Sequence, residues 1–470
     1  MRLIHRRTSP SIRLNVKGYS IRLGALRRAP TGLQRWLLIL GPGLIATCAG
    51  NDAGGIATYS QAGATYGYSL IWVMILITVS LAVVQEMCAR LGAASGRGLL
   101  DLIREQFGVS WSLFAVGVIL LANGAVIVTE FLGIGAASEL FGLSKFVAVP
   151  LAAVALWYLV IFGSYARVEK AFILMTLVFF AYPIAAIMGH PNWHQVFHGA
   201  FVPSVPPDAQ FDHAETSAAH LADLSVQATH HKATYYGAIF MVVALIGTTI
   251  TPYMQLFQQS ALVERGVSRD SYGPERADAY IGSIFSNMMS IFMMIATAAT
   301  LHVIGDTSIS SAADAAVALE PLAGHAARQL FGIGLLGASL LAGAVLPLTT
   351  AYAISETFGI PGGVNQDRRN ARLFFALFTT MIVMGAVLSL IPSQQLISLL
   401  VNIQVLNGAL IPIILVFILK LVNDRRITGH LKNTPLYNVL GWGTFWLITL
   451  AVIALFGMQA LQALSIIPSS

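Results

Sequence analysis

Gly50-Asn51-Asp52-Ala53-Gly54-Gly55 lies in the middle of an apolar run, 36–66, that is long enough to cross a bilayer. A membrane-spanning helix needs about 20 predominantly apolar residues. Three glycines and two turn-forming polar residues at mid-run favour unwinding. A second interruption, Thr248-Thr249-Ile250-Thr251-Pro252-Tyr253, sits inside the run 236–262. There Pro252 removes a backbone N–H and clashes with the preceding turn. Unwound backbone at bilayer depth is tolerated only where it is buried in protein or lines a cavity.

Outward from these two stretches, eleven apolar runs follow one another: 36–66, 68–91, 111–137, 146–163, 170–189, 236–262, 280–304, 329–357, 373–392, 395–420 and 437–460. The interruptions are five runs apart. That spacing is the pattern of two five-helix repeats of inverted topology, whose discontinuous helices build a midplane ion site. The sequence therefore predicts an all-α polytopic membrane protein of eleven helices, with helices 1 and 6 broken. It divides into a basic tail 1–35, a first five-helix repeat 36–189 and a His-rich loop 190–235. A second repeat 236–420 and an eleventh helix with the C-terminus, 421–470, complete it.

Composition agrees. Of 470 residues, 56% are hydrophobic and 10% charged, against about 25% charged in ordinary soluble domains. With a mean hydropathy of +0.74, a soluble enzyme, a disordered chain and a nucleic-acid binder are excluded. The formal charge of +6 follows a membrane rule. The tail holds nine Lys/Arg and no acid, and alternate loops bring the total on that side to 24 of 27. Lys145, Lys232 and Arg328 are left for the other side. Basic loops stay cytoplasmic, so the N-terminus is expected inside and the C-terminus outside, in a plasma (inner) membrane. No cleavable signal is evident. Cys48 and Cys88 lie in apolar runs, giving neither a disulfide framework nor a paired-cysteine metal site.

Asp52 is the acid at the first interruption. A charge at the bilayer centre costs at least ~2.5–3.5 kcal/mol and needs a partner. No Lys or Arg lies inside the runs away from their ends, which makes an exogenous cation the natural one. A protonated Asp52, or one that caps the second half-helix, is the competing reading.

The same stretches carry a family resemblance. GPGLIATCAGNDAGGIATYSQAGA at 41–64 resembles the first span of the Nramp (natural-resistance-associated macrophage protein) metal transporters. GTTITPYMQLFQQSALV at 247–263 is similar to their sixth. ARLG at 89–92, the Leu/Thr-rich stretch near 340–352 and IQVLNGALIPIILVF at 403–417 keep the order. The resemblance implies a LeuT-like fold and a metal site, with departures. Asp52 takes the place of the metal-binding Asp, Gly55 that of the metal-binding Asn, and Thr251 that of the metal-binding Met. Tyr253 and Gln259 stand where the family has His. The acidic pair of the third span is reduced to Glu130. This pattern looks like the Nramp-related magnesium transporter branch.

The chemistry points the same way. A thioether selects soft transition metals, and here a hydroxyl replaces it. A wider, oxygen-lined site suits Mg²⁺, which keeps several waters. The expected metal set is Asp52, Gly55, Thr248, Thr251 and Gln404, with Asn51, Tyr253 and Gln255 holding water around it. Glu130 is the candidate for a proton path, or is locked in a hydrogen bond. Cys48 reads as small-residue packing, and Glu86 with Arg90 as an interfacial helix pair. Asn287, Asn402 and Asn407 read as helix ties. His190, His194 and His198, spaced by four, share one helical face; with His213, His220, His230 and His231 they read as a solvated loop.

The function expected is uptake of Mg²⁺ by alternating access, driven electrically and without protons, with no enzyme activity and no cofactor beyond the transported cation. Its partners are that cation and the lipid bilayer, with no nucleic acid and no obligatory protein. The alternative is a proton-coupled Mn²⁺/Fe²⁺ importer. An organic-solute carrier on the same fold is less favoured, because the carboxylate at the break would then lack a purpose.

Overall fold

The computed structural model describes residues 13–16, 19–22, 41–205, 236–304, 312–391 and 396–464. The first apolar run forms two helices, α1 (Pro42–Ala49) and α2 (Ala53–Tyr66), separated at Gly50-Asn51-Asp52. The sixth likewise forms α10 (Tyr236–Thr249) and α11 (Pro252–Arg265). Both breaks fall where Gly or Pro chemistry placed them. Pro252 is the first residue of α11, the position where a missing N–H costs nothing.

Between the broken helices run α3 (Ile71–Ser95), α4 (Leu99–Phe107), α5 (Val109–Leu140), α6 (Lys145–Phe162), α7 (Tyr165–Thr176), α8 (Ala181–Met188) and α9 (Trp193–Phe201). A single 3₁₀ turn, Leu177–Phe180, joins α7 to α8 within one apolar stretch. After α11 come α12 (Tyr272–Ile304), α13 (Ala312–Phe358), α14 (Arg372–Ser389), α15 (Leu396–Asn423), α16 (Arg425–Thr428) and α17 (Pro435–Ala463). Among the described residues, ten helical stretches are long and apolar enough to cross a membrane. The pair α1 and α2, 8 and 14 residues long, is not among them. Ahead of α1 in the chain, Arg13–Val16 and Tyr19–Arg22 form a short antiparallel pair, with Arg13 opposite Arg22.

Close backbone crossings position the breaks. A Cβ on Gly43 of α1 would lie 2.8 Å from the Ala279 nitrogen, and one on Gly282 of α12 would lie 2.8 Å from Leu44 Cα. A Cβ on Gly408 of α15 would lie 2.7 Å from the Val243 carbonyl oxygen of α10. Small residues let helices approach this closely. The first crossing holds α1 on α12; the second brings α15, and with it Gln404, beside the sixth-run break. Asp278 of α12 completes the first contact: its carboxylate accepts the N–H groups of Gly41 (3.0 Å), Gly43 (2.6 Å) and Leu44 (3.2 Å). The opening turn of a helix has N–H groups without intrahelical acceptors, and here a side chain from a distant helix supplies them.

Glu86 and Arg90 pair at 2.8 Å, four residues apart on α3, with both side chains buried. Arg90 also donates to Asn433 Oδ1 and to the Leu431 carbonyl, fastening α3 to the loop before α17. Asn287 ties α12 to the Met74 carbonyl of α3 (2.8 Å) and to Thr78. Asn402 ties nothing: it is exposed and bonds one turn back to Ser398 within its own helix.

Candidate metal site

Asp52 sits at the N-cap of α2 with extended backbone, and its Oδ1 accepts the Gly55 N–H at 2.6 Å. The helix start favours an anion, since its N–H groups and dipole point at it. The carboxylate is wholly buried. It therefore acts as a cap, but a carboxylate has two oxygens and about four acceptor positions, so capping leaves room for a cation. Gln404 Nε2 donates to Oδ1 at 3.1 Å, and the Tyr253 hydroxyl lies 3.3 Å from Oδ2. The same hydroxyl donates to the Ala49 carbonyl at 2.5 Å.

Gly55 is the hinge of the geometry. A Cβ placed there would lie 2.8 Å from Thr248 Oγ1, 3.0 Å from the Gly50 carbonyl oxygen and 3.2 Å from Asp52 Oδ1. Three oxygens from both breaks thus surround the volume that a side chain at position 55 would fill. Thr248 Oγ1 and Thr251 Oγ1 are buried and have no hydrogen-bond partner among the described residues. Pro252 lacks the N–H that would take up the Thr248 carbonyl in a continuous helix. Buried polar atoms are nearly always satisfied by protein, water or an ion, and these are positioned for the last two.

Three expectations change on the structure. Gln404 is beside Asp52, but Asn407 Nδ2 donates to its Oε1 at 2.9 Å. Its amide N–H, and not its oxygen, therefore faces the carboxylate, so Gln404 holds the acid in place and is no oxygen ligand in this arrangement. Asn51 is turned away from the site: its Nδ2 donates to the Ser286 carbonyl (2.9 Å) and its Oδ1 accepts from Ser290 Oγ (2.7 Å). Both halves of that amide are used in pinning the break to α12. Tyr253 closes directly on Ala49 instead of holding a water. Gln255 keeps one unpartnered atom, Oε1, while its Nε2 reaches the Ile250 carbonyl at 3.4 Å.

Glu130 of α5 accepts the Ala53 N–H at 3.1 Å through Oε2, and Thr129 Oγ1 at 3.3 Å through Oε1. It thus caps the same helix start as Asp52. Cys48 is a buried free thiol in α1. Two residues were not expected from the sequence. Met254 is one: its Sδ would lie 2.5 Å from a Cβ on Gly50. Asp278 is the other, because the seventh apolar run begins only at residue 280. An acid just ahead of an apolar run, with a Gly-Pro-Gly helix start elsewhere in need of acceptors, was the available signal.

The histidine spacing does not form one helical face. His190 precedes α9 with φ 49°, while His194 and His198 lie within α9, and all three are exposed. His213, His220, His230 and His231 lie outside the described residues. Among the described residues, no group of three or more His, Cys, Asp or Glu could hold a metal ion.

The profile of the family described as natural resistance-associated macrophage protein-like (Nramp) matches residues 43–457. The chain belongs to the Nramp family. As a member it is an integral membrane transporter and not an enzyme. The Nramp chain is 26% identical over 442 residues to a divalent metal cation transporter, MntH, of Yersinia pestis (strain Pestoides F), covering 92% of this chain and 96% of that one. In fold it is similar to a manganese transporter of Eremococcus coleocola, solved as a point mutant, with TM-score 0.65, 21% identity and coverage of 94% and 91%. It is also similar to Mhp1, a nucleobase-cation-symport-1 family transporter, with TM-score 0.53, 15% identity and coverage of 88% and 92%. These likenesses place the broken-helix bundle in the LeuT-like fold.

Proposed function

We propose that this Nramp chain carries divalent metal cations across its membrane by alternating access, with Mg²⁺ as the favoured cargo. The observation that carries the reading is the oxygen cradle at Gly55, where Asp52 Oδ1, Thr248 Oγ1 and the Gly50 carbonyl face one volume. One carboxylate, hydroxyls and carbonyls form a hard donor set, the kind that suits Mg²⁺ and not softer metals. The matched relative's name, divalent metal cation transporter, supports the cargo class.

In this reading α1 and α2 together make the eleventh crossing. The basic tail faces the cytoplasm of a plasma (inner) membrane, and the membrane potential drives uptake. A dication gains about 4.6 kcal/mol per 100 mV, so the transport needs no proton. Glu130, bonded to the Ala53 N–H, serves the helix start and not a proton path.

A second reading, a proton-coupled Mn²⁺/Fe²⁺ importer, is favoured by the manganese transporter of similar fold and by Met254, whose sulfur packs at the break. The deciding experiment is uptake into proteoliposomes under a negative-inside potential, with Mg²⁺ and Mn²⁺ offered singly and in competition. Mg²⁺ entry, with Mn²⁺ competing only at similar concentration, is the expected result. Micromolar Mn²⁺ uptake that ignores excess Mg²⁺ would move the chain to the second reading.

A further inference from the structure

Four glutamines are buried on the side of the sixth-run break that leads to Arg265: Gln85 on α3, and Gln255, Gln258 and Gln259 on α11. Each is at most 1% exposed. Six of their eight amide atoms have no hydrogen-bond partner among the described residues: both on Gln85, both on Gln258, and Oε1 of Gln255 and Gln259. The remaining two are anchored to backbone, Gln259 Nε2 on the Arg97 carbonyl (2.9 Å) and Gln255 Nε2 on the Ile250 carbonyl (3.4 Å).

These side chains form a column. The two helices lie side by side, since a Cβ on Gly92 of α3 would be 3.0 Å from the Gln259 carbonyl oxygen. Gln85 is seven residues before Gly92, hence on nearly the same face and about 10 Å nearer the break. On α11, Gln255, Gln258 and Gln259 are spaced i, i+3, i+4 and share one side. The column starts at the depth of Pro252 and runs down toward Arg97. A dry column with six unpaired amide atoms would be strongly destabilised. Polar interiors with unpaired donors and acceptors take up water where there is space for it.

We propose that Gln85, Gln255, Gln258 and Gln259 form a hydrated second station that receives the divalent cation with its water shell as it moves between Asp52 and the Arg97 end. The inference rests on the transport reading above. Metal-bound waters are hydrogen-bond donors, and amide oxygens accept them. The four glutamines bring no carboxylate, so their own hold is weak, which conduction requires if the ion is to leave; the nearby Glu356 carboxylate is taken up by Ser260 and the Leu100 N–H. Mg²⁺, slow to shed water, is the cation such a station suits.

The probe is hexaamminecobalt(III), whose fixed ammine shell imitates a hydrated metal and cannot be displaced by protein oxygens. Binding to the purified full-length chain is measured by calorimetry, alongside Mg²⁺ uptake. Gln85→Leu/Gln258→Leu is near in volume and removes four unpaired atoms, so it is expected to fold. A Gln258→Asn variant retains an amide and controls for shape. The double variant is expected to lose about tenfold in hexaamminecobalt affinity, the equivalent of one lost hydrogen bond to a charged species. Its maximal Mg²⁺ rate should fall while the half-saturating external Mg²⁺ stays unchanged, and Gln258→Asn should keep both near wild type. Unchanged binding and rate in the double variant would overturn the station, as would hexaamminecobalt binding that Asp52→Asn alone abolishes. If wild type moves no divalent ion but the double variant still loses hexaamminecobalt binding, the transport reading fails and the station stands.

Discussion

The Tyr253 hydroxyl donates to the Ala49 carbonyl oxygen at 2.5 Å, joining the first residues of α11 to the last of α1. Ala49 ends a helix and its carbonyl lacks an intrahelical donor. The second break therefore supplies what the first one leaves unsatisfied. The same hydroxyl is 3.3 Å from Asp52 Oδ2, so any movement that parts α1 from α11 also changes the surroundings of the acid. The two broken helices are thus coupled at the proposed cargo site.

Asp52 has two roles, and two substitutions separate them. Asp52→Asn keeps an N-cap acceptor for the Gly55 N–H and removes the charge. It is expected to fold with near wild-type thermal stability in detergent while divalent uptake falls to background. Asp52→Ala also loses the cap and should be less stable by about 1 kcal/mol. Wild-type uptake rates in Asp52→Asn would remove this residue from the site.

Gly55→Ala fills the cradle. Its Cβ would sit within 3.2 Å of Thr248 Oγ1, the Gly50 oxygen and Asp52 Oδ1. We expect Mg²⁺ uptake to drop by about tenfold or more, the equivalent of at least ~1.4 kcal/mol, with the helices intact by circular dichroism. Unaltered Mg²⁺ kinetics would show that the ion binds elsewhere.

Thr251→Met introduces a thioether at the start of α11, in place of a buried hydroxyl with no partner among the described residues. Sulfur favours softer metals. Competition assays should therefore shift toward Mn²⁺ and Cd²⁺ and away from Mg²⁺. A ratio that stays put would mean that position 251 does not face the ion.

Glu130→Gln keeps an oxygen for the Ala53 N–H, so uptake is expected to stay within a few-fold of wild type. Liposomes loaded with a pH-sensitive dye should show metal entry without acidification for both proteins. Metal-dependent acidification that Glu130→Gln removes would establish a proton path through α5.

Asp278→Ala leaves the N–H groups of Gly41, Gly43 and Leu44 without their acceptor. A hydrogen bond to a charged group contributes about 1.5–3 kcal/mol, so the variant should unfold at clearly lower temperature. It should also free α1 from α12, exposing the buried thiol of Cys48 to maleimide. A Cys48 that stays unreactive would mean that the Gly43–Gly282 crossing alone holds α1.

The sequence by itself determined where the two helices break and which acid lies there. Glycine's freedom and proline's missing N–H act on the backbone within a few residues, whatever packs around them. It also determined the apolar runs, because each must match the bilayer along its own length, and the family, through motifs that are contiguous in the chain. Only the tertiary structure decided which way the polar side chains turn. Asn51 and Asp52 are neighbours in one loop, yet Ser286 and Ser290 of α12 draw Asn51 out of the site, while Asp52 turns in. Gln404 was legible as a site residue, but Asn407 on the next turn decides that it offers N–H and not oxygen. The partners of Asp278 on α1 and the unpaired amides of Gln85 and Gln258 had no local signature. A buried hydrogen bond is made with whichever helix the fold brings alongside, and that partner lies tens or hundreds of residues away.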